Sequence, residues 1–250
     1  MPDAVDPVEP IEPVLPPDDF HAALEDAQLA LEPAELEHLS IYLGLLSAAN
    51  AYMNLTRITD PAEAWHRHVL DSLTLLPYIE SMGAANLLDL GSGGGLPGIV
   101  LAITRRDLPI TLLEATLKKA RFLQDTVEQL GLDNVTVISE RAEALGAPDG
   151  GGRDGWDLVT ARAVATLPVL LELALPLVTP DGYLIAIKGQ KANNEIEMSR
   201  MALRTLNATV EGTQRTASGT IVVIRRDGLI STTYPRRPGE PGRAPLGSDR

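Results

Sequence analysis

The stretch LLDLGSGGGLPGIVLAI, residues 87–103, decides the fold of this chain. It starts as an apolar strand that runs directly into Gly91, Gly93 and Gly95. Pro97 then stands at a position typical of the first turn of a helix, where the N–H that proline lacks is not needed. Glycines allow backbone N–H groups and the start of a helix to approach a ligand closely. We therefore predict a bound cofactor at this strand end; the alternative is a tight turn without a ligand.

Short β-rich runs alternate with helical segments along the chain after Gly83. The β-rich runs are 86–90, 109–114, 134–138, 156–161 and 182–188, and the helical segments between them are 97–105, 116–131 and 167–178. Parallel neighbouring strands need right-handed helical crossovers, and this alternation supplies them. The pattern predicts an α/β fold with a mostly parallel, doubly wound sheet.

Four regions are predicted along the chain. They are an acidic, Pro-rich disordered extension at 1–17, a helical cap at 18–82, the cofactor-binding domain at 83–230 and a basic Pro/Arg tail at 231–250. The extension has six prolines and few apolar residues, so burial cannot offset the entropy of ordering it. We expect the tail to cross the surface, and we expect the Gly-rich loop 146–155 to be a flexible insertion.

The composition is that of a folded protein without thiol chemistry. With 250 residues, of which 44% are hydrophobic and 22% charged, the chain can bury a large core. The absence of cysteine excludes disulfide scaffolds, Cys-ligated metal sites and thiolate nucleophiles, and we expect no metal. No apolar run approaches the roughly 20 residues of a membrane span, and the acidic start is unlike a secretory signal. We expect a soluble cytoplasmic protein with no membrane partner.

The net charge of −13 is distributed unevenly. Residues 1–40 contain 11 acidic residues and neither Lys nor Arg, which leaves 34 − 11 = 23 acidic against 21 basic residues in the remainder. The body is therefore near neutral and its end is basic, so an RNA partner is compatible with the overall charge.

The type of cofactor depends on one acidic residue. Gly93, Gly95 and Gly98 also match the G-x-G-x-x-G pattern of dinucleotide sites, which leaves NAD as an alternative. Asp89 stands two residues before Gly91, where we expect its carboxylate to hold an ammonium group and to repel a pyrophosphate. S-adenosylmethionine carries an ammonium group and a sulfonium but no phosphate, so the sequence favours this cofactor.

Two further acids follow the next two strands. Glu114 ends the second strand, where an acid is expected to accept both ribose hydroxyls of the cofactor; a solvated charge at a strand end is the alternative. Glu143 follows the third strand, at the expected edge of the adenine.

The motif Asp89-x-Gly91-x-Gly93-x-Gly95, with Glu114 downstream, resembles that of class I S-adenosylmethionine-dependent methyltransferases. Further segments resemble those of one family, the bacterial small-subunit ribosomal RNA guanine-N7 methyltransferases (RsmG, also called GidB). These segments are 54–73, 95–98, 161–163, 188–189 and 234–246, and the resemblance covers about residues 33–246. This chain departs from the family's pattern at three places: the acidic extension, loop 146–155 and Glu240 in the tail.

The resemblance implies methyl transfer from S-adenosylmethionine to the N7 atom of a guanine of 16S ribosomal RNA, guanine 527 in the conventional numbering of that RNA. It implies a Rossmann-like fold and the 16S RNA or the small ribosomal subunit as partner. No protein partner is implied, and we expect a monomer. The cofactor-binding residues that we expect are Asp89, Gly91, Gly93, Gly95, Leu96, Glu114, Ala142, Glu143 and Arg162. Those that we expect to face the RNA are Asn54, Arg67, His68, Asp71, Lys188, Arg236, Arg237 and Arg243.

We expect no catalytic acid or base, because guanine N7 has a lone pair and no proton to lose. Several of these residues also have a simpler explanation. His68 can be a packed core residue, Arg67 and Asp71 can pair with each other at helix spacing, and the tail can be a solubilising segment. For the whole chain the alternatives are an NAD-dependent oxidoreductase and a non-catalytic, nucleotide-sensing binding module.

Overall fold

The computed structural model describes residues 12–248 and contains one seven-stranded sheet, in the order β3-β2-β1-β4-β5-β7-β6. The strands are β1 Leu87–Leu90, β2 Ile110–Leu113, β3 Val135–Ile138, β4 Trp156–Arg162, β5 Val178–Lys188, β6 Ala208–Arg215 and β7 Thr220–Arg226. The first five strands pair in parallel, and β7 pairs antiparallel with both β5 and β6. The predicted α/β class with a mostly parallel sheet is confirmed.

Helices cover both faces of this sheet. Those before it are α1 Phe20–Asp26, α2 Pro33–Met53, α3 Pro61–Ala64, a π-helical segment Trp65–Leu70, α4 Asp71–Leu73 and α5 Leu76–Met82. Those that follow β1 are α6 Gly98–Thr104, α7 Leu117–Gln129, α8 Ala142–Leu145, α9 Leu167–Ala174, a 3₁₀ turn Leu175–Leu177, α10 Ala192–Met198, α11 Arg200–Thr205 and α12 Glu240–Arg243. Among residues 12–248, none of these helices combines the length and the apolar character that crossing a membrane requires.

The core lies in two apolar clusters, one on each face of the sheet. Successive side chains of β1 point to opposite faces, so that Leu87 enters one cluster while Leu88 and Leu90 enter the other. The helical region before the sheet packs into the first cluster, in which Trp65 and Phe20 meet edge to face with ring centroids 4.7 Å apart. This region therefore shares its core with the sheet, and its end is held against the carboxyl edge of the strands.

The first described residues correct part of the prediction for 1–17. Residues 1–11 lie outside the described residues. In the remainder, the Val14 N–H donates to the Ser40 carbonyl at 3.0 Å, and the Val14 carbonyl accepts from the Trp65 indole at 3.0 Å. Disorder is thus the wrong description of 12–17, because Val14 supplies an apolar anchor and satisfies the N–H of a fully buried tryptophan.

Loop 146–155 is likewise anchored. Its Arg153 guanidinium donates to three carbonyls of the chain segment that follows β7, those of Ile230, Ser231 and Tyr234. The Asp154 carboxylate accepts from the fully buried Arg226 of β7. The prediction of a flexible insertion overlooked these partners, which are far away in sequence.

Candidate functional site

A cavity of about 860 Å³ lies at the carboxyl ends of β1, β2 and β4. From the sheet side it is lined by Gly91, Ser92, Gly93, Gly94, Leu96, Glu114, Arg162 and Ala163, together with Lys119 of α7. From the helical region it is lined by Asn54, Leu55, Thr56, Arg57, Ile58, Arg67 and His68. Small-molecule sites have volumes of about 300–1,000 Å³, so this cavity has the size of a cofactor site.

The Gly-rich turn shapes the floor of this cavity. The Gly91 N–H donates to the Leu113 carbonyl at 2.8 Å, which continues the β1–β2 pairing into the turn. Gly91 and Gly93 have φ values of +72° and +58°, a region that favours glycine. A Cβ at Gly91 would stand 2.8 Å from a methyl group of Val164, whereas a Cβ at Gly93 would meet nothing nearer than the Gly91 carbonyl at 3.8 Å. The Gly93 side of the turn is therefore open to a ligand.

Gly95, which we expected to contact the cofactor, is not among the lining residues. A Cβ there would lie 2.5 Å from the Ile99 side chain, and the Gly95 carbonyl accepts the Ile99 N–H at 2.7 Å. Gly98 is also enclosed, since its Cβ would lie 2.3 Å from Leu112. These two glycines allow the start of α6 to pack closely on β2.

Asp89 does not face the cavity either. Its carboxylate is fully buried and accepts the Gly98 N–H and the Thr160 hydroxyl, each at 3.1 Å. Burial raises the pKa of Asp89 to about 6, against the opposing effect of these hydrogen bonds. The expectation that Asp89 holds the ammonium group of a cofactor is corrected, because the alternation of β1 turns this side chain under α6. Its charge therefore gives no reason to prefer S-adenosylmethionine over NAD.

Glu114 does line the cavity, at the end of β2. One carboxylate oxygen accepts the Gly93 N–H at 3.0 Å and the other accepts the Thr116 N–H at 2.7 Å. The side chain thus fixes the open part of the Gly-rich turn relative to the start of α7. A carboxylate oxygen can accept more than one hydrogen bond, so Glu114 can also receive ligand hydroxyls.

Arg162, at the end of β4, connects the sheet to the helical region. One terminal nitrogen, Nη2, donates to the Arg67 carbonyl at 2.6 Å and lies 3.9 Å from an Asp71 carboxylate oxygen. The other, Nη1, is buried and has no hydrogen-bond partner within the described part of the chain. Burial lowers the pKa of Arg162, but Asp71 opposes this shift and the group stays cationic. The cavity wall thus contains a guanidinium with an unused donor.

Asp71 is buried and accepts a hydrogen bond from the Ser218 hydroxyl, in the turn between β6 and β7. Burial raises its pKa. The suggested pair between Asp71 and Arg67 is wrong, because Arg67 pairs with Glu63 at 2.6 Å and stays exposed. The π-helical segment 65–70 has a wider turn than an α-helix and changes which residues share a face.

His68 is buried between the two sides of the cavity. Its Nε2 lies 2.8 Å from the Thr56 hydroxyl, and its Nδ1 lies 3.4 Å from a nitrogen of Arg162. Burial, followed by the charge of Arg162, lowers the pKa of His68 to about 4. The ring is therefore neutral near pH 7. His68 is packed in the protein and also lines the cavity, so it can be both a core residue and a residue of the site.

The segment 54–58 holds site residues that sequence reasoning missed. Asn54 was expected here and lies at the end of α2 with φ +54°, whereas Thr56 and Arg57 were not singled out. A second cavity of about 610 Å³, between this segment and α2, shares five lining residues with the first, Asn54, Thr56, Arg57, Ile58 and His68. Fully buried Tyr42 of α2 was also missed, and it donates to the Gly94 carbonyl at 2.9 Å. The helical region thus contacts the Gly-rich turn directly.

Three further predicted residues, Ala142, Glu143 and Lys188, also lie outside the cavity. Ala142 is buried in the second apolar cluster, and the Glu143 carboxylate accepts the Gly239 N–H of the tail at 2.9 Å. The Lys188 ammonium contacts a Glu195 carboxylate oxygen at 2.8 Å and the Ala165 carbonyl at 2.5 Å. These contacts correct the expectation that Glu143 edges a cofactor and that Lys188 faces phosphates, since their polar atoms are used within the protein.

The three arginines of the tail that we expected to face the RNA are held differently. The Arg236 guanidinium donates to both carboxylate oxygens of the fully buried Glu172, at 2.8 and 2.6 Å, and also to the Ala244 carbonyl. Arg236 is thus a structural residue, which corrects its assignment to the RNA. Arg237 and Arg243 are exposed.

Comparison with known proteins gives consistent results. Residues 35–221 match the model of the GidB family, described as rRNA small subunit methyltransferase G. The chain is 47% identical over 223 residues to ribosomal RNA small subunit methyltransferase G of Sorangium cellulosum, covering 89% of this chain and 92% of that protein. The corresponding protein of Moorella thermoacetica is 36% identical, with coverages of 89% and 95%.

Two solved structures that match this fold are named as methyltransferases. An O-methyltransferase from Bacillus cereus, in complex with SAH, matches with a TM-score of 0.55 at 18% identity, covering 82% of this chain and 96% of that one. A SAM-dependent methyltransferase from Aquifex aeolicus matches with a TM-score of 0.51 at 16% identity, covering 69% and 96%. At these identities the likeness concerns the fold alone, which is that of Rossmann-like methyltransferases.

Proposed function

This chain belongs to the rRNA small subunit methyltransferase G family, and from that membership we propose that it methylates the N7 atom of a guanine in 16S ribosomal RNA. The chain is a methyltransferase and its cofactor is S-adenosylmethionine. The observation that carries the proposal within the structure is the cavity of about 860 Å³ between the Gly-rich turn and the helical region. It puts a cofactor-sized space next to exposed and cationic residues that an RNA can reach.

The residues of the cavity fit this cofactor. Gly93 leaves an open approach, which any side chain would fill, and Glu114 beside it offers carboxylate oxygens to ribose hydroxyls. Arg162 brings a guanidinium cation to the cavity wall, and its charge suits the carboxylate of the methionine part. When bound, S-adenosylmethionine supplies an electrophilic methyl group on a sulfonium.

The protein side of the reaction is positioning. Guanine N7 has no proton to lose, so no general base is required. Neutral His68, hydrogen-bonded to Thr56, can orient a base edge but does not serve as an acid near pH 7. Arg162, held by the Arg67 carbonyl and by Asp71, fixes the distance between the strand ends and the helical region.

Of the residues predicted to face the RNA, Asn54, Arg67 and His68 line the cavity, and we propose that they approach the target nucleotide. Arg237 and Arg243 are exposed and stay candidates for phosphate contacts. The experiment below compares the free RNA with the small ribosomal subunit as substrate.

The test is methyl transfer from isotopically labelled S-adenosylmethionine to small ribosomal subunits and to deproteinised 16S RNA, both from cells that lack this family of methyltransferase. We expect one N7-methylguanine per RNA, found by chemical cleavage at the modified base. Glu114→Ala is the matched control with weakened cofactor binding, and it should transfer methyl groups more slowly when S-adenosylmethionine is limiting. Binding of S-adenosylmethionine without any methyl transfer would favour the binding-module alternative, and binding of NAD instead would favour the oxidoreductase.

A further inference from the structure

An exposed aromatic residue stands beside the cavity. Tyr52 lies in the last turn of α2 and is 66% exposed. The Lys118 ammonium lies 5.1 Å from the centre of its ring and donates a hydrogen bond to the Tyr52 carbonyl at 3.3 Å. The ring is thus held in place by a cation on one face and remains largely open to solvent.

The position of this ring relates it to the cavity. Asn54, two residues after Tyr52, lines the cavity, and so does Lys119, the residue after Lys118. Arg57 lines it from the same segment as Asn54. Tyr52 therefore stands at the rim of the cavity, beside residues that line it but not itself among them.

The rim also has a positive charge that the protein does not neutralise. Among residues 12–248, no carboxylate lies within 4.0 Å of the charged nitrogens of Arg57, Lys118 or Lys119. Three such cations together are unexpected in a chain with a net charge of −13. Their arrangement favours a polyanionic partner, since each phosphate contact releases counterions.

We propose that Tyr52 stacks on an unpaired base of the substrate RNA next to the target guanine, while Lys118 contacts the adjoining phosphate. Aromatic rings bind single-stranded bases in this way with little sequence preference, and flanking cations hold the backbone. Lys118 keeps one ring face covered and pre-positions the ring for the base on the other face. This proposal rests on the proposed function, because it assigns a second contact to the same substrate.

The test compares Tyr52→Ala with Tyr52→Phe and Tyr52→Leu, using undermethylated small ribosomal subunits as substrate. A stacked base contributes ~1 to 3 kcal/mol, so we expect Tyr52→Ala to raise the KM for the subunits by about 5- to 150-fold, with little change in kcat. Tyr52→Phe retains the π face and should stay within about twofold of the wild type. Leu229→Ala, at an exposed apolar side chain away from the cavity, is the matched control.

Two further measurements separate the possible outcomes. Affinity for S-adenosylhomocysteine should be unchanged in all variants, which excludes a disturbed cofactor site. Affinity for the subunits, measured by filter binding, is independent of methyl transfer. If the wild type methylates and Tyr52→Ala has the same KM for the subunits as Leu229→Ala, the stacking proposal alone is overturned.

If Tyr52→Leu has as low a KM as Tyr52→Phe, the contact is apolar and the stacking proposal is likewise overturned. A wild type that binds subunits through Tyr52 but does not methylate them overturns the proposed function alone, and a wild type that does neither overturns both.

Discussion

The basic residues of the tail and those at the cavity rim differ in what they contact. Arg236 of the tail is joined to Glu172, a fully buried carboxylate in an otherwise apolar helix, α9. Lys118 and Arg57 at the rim have no acidic partner within the described residues. An arginine in a Pro/Arg segment thus stabilises the fold, while less conspicuous cations remain available to a ligand.

The difference follows from the cost of burying a charge. A carboxylate such as Glu172 cannot enter an apolar helix face without a cation and hydrogen bonds to replace water. Exposed cations at a rim have no such requirement and stay solvated. The acid in the buried helix, rather than the arginine in the tail, therefore indicates which basic residue has a structural role.

The largest effect is expected when the buried ion pair of the tail is broken. Arg236→Ala leaves the fully buried Glu172 carboxylate without its cation, and we expect the free energy of unfolding to fall by about 3 kcal/mol or more, as for other buried charges that lose their partner. Urea denaturation measures this change. The control Arg237→Ala removes an exposed neighbour and should change stability by less than about 0.5 kcal/mol. Equal small losses in both variants would contradict the comparison.

Asp89 is a buried carboxylate without an ion pair, so its ionisation should destabilise the folded protein. The pKa of Asp89 is about 6 in the folded protein against 3.8 ordinarily, so the native state binds more protons between these values. The stability due to Asp89 is therefore complete at low pH and is lost as pH rises through about 6. Relative to Asp89→Asn, the wild type should lose on the order of 3 kcal/mol between about pH 4 and pH 7. Urea titrations across this range measure the difference, and a constant difference would contradict the buried, unpaired assignment.

Local patterns were enough to predict most of the sheet. The apolar runs of β1, β2 and β4 and the glycines after β1 are visible within a few residues, because strand alternation and turn geometry are local properties. β6 and β7 were not predicted. β6 is mostly exposed and polar, but β7, with the apolar run TIVVI, carried a signal that could have identified it.

The site was predicted less completely, for two reasons. Sequence reasoning placed Glu114 and Asp89 correctly at the ends of their strands. The Asp89 side chain, however, is on the face of β1 that α6 covers, and only the structure shows that it is therefore turned away from the cavity. Polar contacts between distant segments leave no local signal: the ion pair of Arg236 and Glu172 joins residues 64 positions apart, and the hydrogen bond from Ser218 to Asp71 spans 147. Sequence therefore identifies which residues reach a strand end, and the tertiary structure decides which of them keep a free polar atom.

In contrast to Asp89, Glu114 is an acidic residue at a strand end that does face the cavity. Glu114→Ala removes an acceptor from the cofactor ribose and releases the Gly93 N–H, and we expect S-adenosylhomocysteine to bind about 5- to 150-fold more weakly, corresponding to ~1 to 3 kcal/mol. Isothermal titration calorimetry measures this affinity. Glu140→Ala, at an exposed acid after β3, should leave the affinity unchanged. If both variants bind as tightly as the wild type, Glu114 has only a structural role.

The smallest effect concerns the arginines of the tail that remain exposed. Arg237→Ala together with Arg243→Ala removes two cations without touching the Arg236–Glu172 pair. If both contact phosphates, the slope of log affinity against log salt for 16S RNA should flatten by roughly 0.7–0.9 per lost contact. Cofactor affinity and stability should not change, since neither residue lies in the cavity or the core. Arg204→Ala, at an exposed arginine of α11, is the control and should leave the slope as it is. If the salt dependence of RNA affinity is unchanged in the double variant, the cations at the cavity rim alone recognise the RNA. The tail would then only stabilise the fold, through the Arg236–Glu172 ion pair.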